Sequence, residues 1–424
     1  MSERSARGGA IMSRPIGLLR LPREVRFGFG ARAAVASLAS GFGERVAFVV
    51  DPFLADTDDF RAVLTGTQER GCRTQVLADV PPELPVDSVQ NAAEVLRSFS
   101  PDVIVGYGGG SALDAAKLVA LLLAHPAPLD QYYGENAVPG PVTPLIAVPT
   151  TAGTGSEVTP VAVVSDPSRA VKVGISSPHL IPAVAVVDPE LTMTAPPGVT
   201  VYAGIDAFVH AVESFTAAPL ADIGADRLPV FVGRDVLTEP LSLEAASLIH
   251  RSLPAALANP ADRRAREEMS RASLLAGMAF GSAGTHVSHA IQYPVGALTH
   301  TPHGLGTGML LPYVLQAFLP VIADRLAELG TALGLDAEGD ESTRAQAAVD
   351  AIAELCGRIG LPSSLAELGV SEADRGQVVT LSLQARRLVD IAPIPVDEQL
   401  MGAIFDAALA GDRSLLFGTV EAGR

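Results

Sequence analysis

The sequence predicts an α/β domain built on a mostly parallel sheet, followed by an all-helical domain. Three observations carry this expectation. Short β-branched runs alternate with helix-like stretches between residues 46 and 187. From about Gly204 onward the long patterns are helical, with no comparable strands. At 424 residues the chain is also too long for one simple core. The boundary is placed near Pro196-Pro197, because two prolines forbid a continuous helix. Residues 1–14 read as a flexible tail, 15–196 as the α/β domain and 197–424 as the helical domain.

In the first domain the candidate strands are 46–50, 74–77, 103–107, 145–148, 161–164 and 184–187, several of them ending at glycine, proline or aspartate. Helical patterns at 87–98 and 112–123 lie between them, and Asp87 is suited to cap the first. In the second domain the helical patterns are 206–215, 241–257, 265–279, 311–333, 343–359 and 397–410. The segment 216–240 carries three prolines and no strong periodicity, and reads as a surface excursion.

Composition narrows the function classes. Hydrophobic residues make up 48% and charged residues 18%, which describes a packed globular enzyme. A net charge of −17 with no basic stripe argues against nucleic-acid partners. Cys72 and Cys356 are far apart and in no metal-binding spacing, so a reducing compartment is expected. Residues 1–14 lack an apolar core of signal-peptide length, and the strongest apolar run, 118–123, is too short to span a bilayer. A soluble cytoplasmic protein with no membrane partner follows as the expectation.

The strand at 103–107 runs into Gly108-Gly109-Gly110-Ser111 and then a helix beginning near Ala112. Glycines let the backbone approach a bulky anion, and the helix N-terminus offers unpaired N–H groups and partial positive charge. A dinucleotide pyrophosphate needs both, although such a turn on its own is as often merely tight. Gly28-Phe29-Gly30-Ala31-Arg32-Ala33 approximates a second glycine fingerprint, but follows no convincing buried strand and reads as a turn before a helix. Asp51 closes the strand 46–50, where a carboxylate accepts hydrogen bonds from an adenosine ribose and disfavours a 2′-phosphate. A turn-forming role for it is equally common. The run from Pro149 to Glu157, dense in threonine and glycine, suits a cofactor-facing loop or a plain loop.

Asp206 and His210 stand four residues apart on one helical face, with His289 and His303 downstream. One carboxylate and three imidazoles suit Fe²⁺ or Zn²⁺. One carboxylate leaves the site net positive, able to bind a substrate oxygen and act as a Lewis acid. Glu213, next to this face, is a candidate supporting partner. By spacing alone His286 and His300, three residues before His289 and His303, are rival ligands.

Together these motifs resemble the iron-containing (group III) alcohol dehydrogenases, whose fold is similar to that of dehydroquinate synthase and glycerol dehydrogenase. The resemblance runs from about Phe27 to Ala410. It rests on Gly108 to Lys117, on Pro149 to Thr159, on Gly204 to Glu213, and on His289 through His303-Gly304. It implies metal ligation by Asp206, His210, His289 and His303, setting His286 and His300 aside. It implies cofactor contacts from Asp51, Gly109, Gly110, Ser111, Asp114 and Thr150, and further ones from Thr151, Thr159, Val161, Lys172 and Leu191. Lys172 fits as a donor to ribose hydroxyls. Asp114, read as lying in the first turn of the glycine-loop helix, also suits the helix dipole there.

The resemblance further implies NAD, with NADP as the alternative, Fe²⁺, with Zn²⁺ as the alternative, and a homodimer. The implied chemistry is hydride transfer between nicotinamide and a metal-bound alkoxide derived from a small alcohol or aldehyde. Many members carry a second histidine four residues after the third ligand; here that position is Tyr293, counted with the catalytic group. A phenol with pKa near ~10 is a poor base, so water is expected to take the proton, with His286 a structural neighbour. Tyr293 and the segment 216–240 are similar to the hydroxyacid-oxoacid transhydrogenase branch, the alternative function. A dehydroquinate-synthase-like lyase, the alternative of another class, would need clustered Lys and Arg near the metal. Few basic residues lie close to the ligand motifs in sequence.

Overall fold

The structure, a computed structural model, describes residues 17–81, 83–169, 171–219 and 228–420. The expected tail at 1–14 and part of the 216–240 segment lie outside the described residues. In chain order the strands are β1 (Glu24–Phe27), β2 (Arg45–Val50), β3 (Arg73–Leu77), β4 (Val103–Gly108), β5 (Gly134–Glu135), β6 (Leu145–Pro149), β7 (Val161–Val164), β8 (Val173–Ser176) and β9 (Val184–Val187). Six of them form one all-parallel sheet in the order β1-β9-β6-β4-β2-β3. β4, β6 and β9 are buried along their whole length, as apolar strands covered on both faces must be. From β2 the chain moves outward to β3 and then returns to β4 on the other side of β2. The crevice at the carboxyl ends of β2 and β4 is therefore the switch point where open α/β sheets bind ligands.

The helices are α1 (Val35–Ser40), α2 (Asp58–Glu69), α3 (Val86–Arg97), α4 (Gly110–Ala124), α5 (Pro197–Thr216), α6 (Glu239–Ala258) and α7 (Arg263–Ala283), followed by α8 (Val287–Thr299), α9 (His303–Phe318), α10 (Ala323–Ala332), α11 (Glu341–Arg358), α12 (Arg375–Gln384), α13 (Arg386–Val389) and α14 (Glu398–Ala410). The early helices cover the sheet, with one core around Leu96, Ile104 and Leu118 and another around Phe48, Phe60 and Tyr107. The later helices share a single core that includes Phe208, Phe215, Phe318 and Phe405.

Several expectations are corrected. The strand at 161–164 leaves the main sheet: β7 pairs antiparallel with β8, and β5 joins β8 in a separate three-stranded sheet. Only eight residues, 165–172, separate β7 from β8, too few for a parallel crossover. The pattern at 311–333 is two helices, because Pro320 removes an amide donor and its ring crowds the carbonyl of the preceding turn. Asp87 does not cap α3. The cap position is Pro85, and Asp87 stands in the first turn, where its charge suits the helix dipole. The described part of 216–240 is no surface excursion. Val230, Phe231 and Val232 are buried, and the Val232 and Gly233 amides donate to the carbonyls of Ser282 and Ala283.

The seam between sheet and helices is tight at two glycines. Gly155 has φ +60°, and a Cβ there would lie 2.6 Å from the Gly277 Cα of α7. Beside it runs a buried ionic network. The Lys117 ammonium donates to the Thr159 carbonyl at 2.9 Å and the Val161 carbonyl at 2.8 Å. Asp114 accepts from the Ser156 hydroxyl at 2.7 Å and the Val163 amide at 2.9 Å. α4 begins at Gly110, so Asp114 lies beyond its first turn, and the dipole role expected of it gives way to this bracing of residues 156–163.

Burial pushes the Glu157 carboxyl up to about 7, against the pull of Lys117. Its unfolded value is near 4.5, so the folded chain holds the extra proton between the two. Stability from this group is full below about pH 4.5 and falls as pH rises to about 7. Glu157→Gln is expected to remove that fall. Denaturant unfolding at pH 5 and pH 7.5 checks it: between the two the variant should lose less stability than the wild type, and equal losses would contradict the assignment.

Candidate metal centre and cofactor cleft

Helix α5 turns Asp206 and His210 to one buried face, 5% and 6% exposed. α8 carries His289 and α9 begins at His303. The Asp206 Oδ2 lies 3.7 Å from His210 Nε2, and Oδ1 lies 3.8 Å from His289 Nε2 and 3.7 Å from His303 Nε2. The donors of Asp206, His210 and His289 all fall within 4.8 Å of one another. His303 is the open member, with a side chain 41% exposed to the cleft. α9 can start this close to α5 only because residue 304 is glycine: a Cβ there would lie 1.9 Å from the Tyr202 carbonyl oxygen.

Glu213, fully buried, sets the chemistry of His289. Its Oε2 accepts the His289 Nδ1–H at 2.6 Å and the His286 amide at 2.8 Å, while Oε1 accepts the Ser288 amide at 2.7 Å. A carboxylate there requires Nδ1 to carry the proton and leaves Nε2 as a bare lone pair. That Nε2 is buried and has no hydrogen-bond partner. Such an orphan costs on the order of 1–3 kcal/mol unless something electrophilic meets it. A divalent ion beside Asp206 is what fits.

The titration behaviour agrees. Burial, and then the neighbouring imidazoles, hold His289 well below the ordinary histidine value, and burial likewise lowers His210 despite Asp206. Both are neutral ligands-in-waiting at neutral pH. Burial opposes ionisation of Asp206, but the three imidazoles and the Thr307 hydroxyl outweigh it and keep its carboxyl below the usual range. Thr307 donates to Oδ1 at 3.0 Å.

Of the rival histidines, His286 is occupied elsewhere and His300 faces outward. His286 Nδ1 accepts the Val287 amide at 2.8 Å, and Nε2 contacts the Thr216 hydroxyl at 2.9 Å. His300 ends α8 in a left-handed conformation at φ 55° and is exposed.

A cleft of about 290 Å³ joins this cluster to the N-terminus of α4. Gly110, Ser111, Asp114, Thr159, Val161 and Lys172 line it. Gly109 occupies the cap position of α4, so the first residues of that helix, Gly110 and Ser111, meet the cleft where unpaired helix amides can receive an anion. Asp51, Thr150 and Thr151 follow the carboxyl ends of β2 and β6 but do not line this cleft. Asp51 Oδ1 accepts the Phe53 amide at 3.0 Å, a turn-forming bond. Leu191 stands apart, buried beyond the end of β9. Lys172 is ion-paired to Glu83 at 2.7 Å.

The Gly28 fingerprint does follow a strand, β1, which is mostly exposed. Its amides are taken: Gly30 and Arg32 donate to the Asp188 carboxylate at 3.1 and 3.2 Å, leaving no phosphate cradle. The Tyr293 ring stacks on His303 at 6.1 Å, and its hydroxyl accepts from Arg387 at 3.4 Å. Arg387 also lines the cleft and was invisible in the motif reading, where few basic residues stood near the ligands. It lies on α13, far along the chain, and no spacing links it to the site.

Replacing Glu213 with Gln should free the His289 ring and weaken retention of a divalent ion by about 10–100-fold. Competition against a chromogenic chelator measures this, and unchanged retention would show that Glu213 serves packing alone.

Comparison with known proteins adds the following. Residues 22–189 match the family described as iron-containing alcohol dehydrogenase, and residues 200–409 match the C-terminal region of the Fe-containing alcohol dehydrogenase family. The chain is 33% identical over 389 residues to long-chain-alcohol dehydrogenase 1 of Geobacillus thermodenitrificans (strain NG80-2), covering 91% of this chain and 94% of that one. Its fold is similar to a crystal structure of 1,3-propanediol oxidoreductase, with a TM-score of 0.86 and 31% identity over 93% of this chain and 100% of that one. It is also similar to sulfoacetaldehyde reductase from Bifidobacterium kashiwanohense in complex with NAD⁺, with a TM-score of 0.81 and 28% identity over 94% of this chain and 100% of that one.

Proposed function

This chain belongs to the iron-containing alcohol dehydrogenase family, and from that premise we propose how its residues divide the work of a metal-dependent, NAD-linked alcohol dehydrogenase and aldehyde reductase. The observation that carries the assignment is the convergence of Asp206, His210, His289 and His303 at the end of a cleft that begins at the α4 N-terminus. When bound, a divalent ion supplies Lewis acidity toward an alcohol or carbonyl oxygen, and nicotinamide supplies or accepts the hydride.

The chain's residues do the rest. Asp206 and the three histidines would hold the ion, and burial keeps His210 and His289 neutral for that purpose. Glu213 aims His289. The amides of Gly110 and Ser111 would receive the cofactor pyrophosphate. Asp51, at the end of β2, would accept from the adenosine ribose through its remaining oxygen. Phe280, stacked on His210 at 4.1 Å, keeps water from that side of the cluster. His286 is tied to its own helix start and Thr216, and the Tyr293 hydroxyl accepts from Arg387, so water remains the carrier for the proton released from an alcohol.

Relatives named for propanediol and sulfoacetaldehyde support a small alcohol or aldehyde as substrate. The lyase alternative gains nothing from the structure: of the two cations in the cleft, Lys172 is neutralised by Glu83. No helix among the described residues is long and apolar enough to cross a membrane. A cytoplasmic location is supported by two buried, unpaired cysteines, and a homodimer rests on the family resemblance alone.

The test is a panel of primary alcohols and aldehydes with NAD(H) on protein reconstituted with Fe²⁺ or Zn²⁺, followed by cofactor absorbance. Turnover is expected with free NAD. Fully loaded protein that turns over no free NAD, yet exchanges hydride between a hydroxyacid and an oxoacid, would instead establish the transhydrogenase alternative. His210→Ala and His303→Ala are expected to lose both bound metal, by elemental analysis, and activity. Full occupancy with intact activity would overturn the ligand assignment. NAD should be preferred over NADP, and Asp51→Gly should narrow that preference by roughly tens-fold, matching about 1–3 kcal/mol of lost discrimination. Equal efficiency with both cofactors in the wild type would place Asp51 away from the ribose.

A further inference from the structure

Arg387 is the cation in the cleft that the proposed chemistry leaves unused. It shares the cleft with Asp206, His210, His289, Tyr293 and His303, and its charge lowers the pKa of His289. Two contacts fix it there. Its guanidinium lies over the Phe231 ring at 4.8 Å, and one Nη donates to the Tyr293 hydroxyl at 3.4 Å. Neither contact neutralises it. Among the described residues no carboxylate pairs with it, whereas Arg32, Arg45, Arg325, Arg375 and Arg413 each hold one. Other described arginines lack a carboxylate too, but the buried or half-buried ones spend their N–H groups on oxygens, Arg20 on the Pro229 and Val230 carbonyls and Arg266 on the Pro260 carbonyl and the Thr200 hydroxyl, whereas among the described residues Arg387 makes only the long bond to Tyr293.

The acidic groups around it are committed. Glu83 is held by Lys172, Asp114 by Ser156 and Val163, and Asp206 faces the histidines. A guanidinium offers five N–H donors in a planar fork that matches a carboxylate, sulfonate or phosphate two bonds at a time. Tyr293 spans the gap, touching His303 on one side and Arg387 on the other. A short carbon chain would bridge the same distance.

We propose that Arg387 is a specificity-determining residue that binds an anionic group at the far end of the substrate, so that the enzyme acts on short aldehydes and alcohols carrying a carboxylate, sulfonate or phosphate. The inference rests on the dehydrogenase reading above. A neutral alcohol would leave the guanidinium partly desolvated without a partner, whereas an anionic one satisfies it and orients the reacting carbon toward the metal cluster.

The test compares butanal with 4-oxobutanoate, 3-oxopropane-1-sulfonate and glycolaldehyde phosphate on metal-loaded enzyme with NADH. Wild type should favour at least one anionic substrate over butanal by about tenfold or more in kcat/KM, and the favoured member identifies the anion. In Arg387→Met that advantage should fall by roughly 10²-fold, mainly through KM, with a far smaller change for butanal and none in the KM for NADH. Arg387→Lys should recover part of it. Calorimetric titration of the wild-type enzyme with propane-1-sulfonate should show binding that Arg387→Met lacks.

Butanal preferred to all three anionic substrates would overturn the proposal. So would equal losses for charged and neutral substrates in both Arg387 variants, the mark of a structural role, or a raised KM for NADH, the mark of a cofactor contact. If no aldehyde of either kind is reduced but propane-1-sulfonate binding still depends on Arg387, the dehydrogenase reading fails and the anion site stands.

Discussion

A carboxylate sealed from water must be compensated, and the compensation of Glu213 organises the helical half of this molecule. Two of its partners are the amides of His286 and Ser288, at the start of α8, and the third is the His289 ring. Unpaired amides at a helix N-terminus attract negative charge, so Glu213 performs for α8 what a capping residue does, from a different helix. One buried charge thereby joins α5 to α8, fixes the turn after α7, and chooses the tautomer of a metal-facing histidine. The remaining donors follow from the same geometry. Asp206 and His210 lie on the helix that carries Glu213, and Gly304 lets α9 bring His303 against that helix.

The opposite end of the cleft is braced in the same currency. Lys117, buried on α4, draws in the carbonyls of Thr159 and Val161, and Asp114 draws in Ser156 and Val163. These bonds hold the glycine-rich loop after β6 against the helix whose N-terminus lines the cleft. The loop in turn meets α7 through Gly155 and Gly277. The α4 N-terminus and the Asp206–histidine cluster are thus separate constructions with a shared wall. A buried ion pair seldom adds net stability, since desolvation offsets attraction, but a half-satisfied one is costly. Such networks therefore favour one arrangement over its neighbours, and a hydride donor and acceptor need that kind of fixed relation.

How much of this could be read in the sequence depends on how local each signal is. β2, β4, β6 and β9 are legible because strands buried on both faces must be continuously apolar. β1 is not: its Glu24 and Arg26 are those of an exposed edge, and only pairing with β9 makes it a strand. Asp206, His210 and the supporting Glu213 are legible as a cluster because they sit within two helical turns, so spacing encodes proximity. What separated His289 from His286 lay beyond spacing, in the bonds of His286 to Val287 and Thr216. Likewise the Gly28 turn has the sequence of a phosphate loop, and a distant residue, Asp188, fills it. Arg387 and the buried Val230–Val232 strip depend on contacts across long separations, where a linear pattern carries no information.

The charge distribution sets a last constraint. A net charge of −17 surrounds the molecule with a field that repels anions, yet the cofactor is an anion. Attraction must therefore be local. The α4 N-terminus would supply it at one end of the cleft and a divalent ion held by Asp206 and the histidines at the other, with Arg387 alongside. Lys172, paired to Glu83, contributes little net field at a distance. Burial strengthens each local field, because little water is left to screen it, whereas the repulsive charges outside are screened within about 8–10 Å at physiological salt. An anionic ligand that reaches the cleft therefore experiences the few positive groups lining it more strongly than the many exposed negative ones.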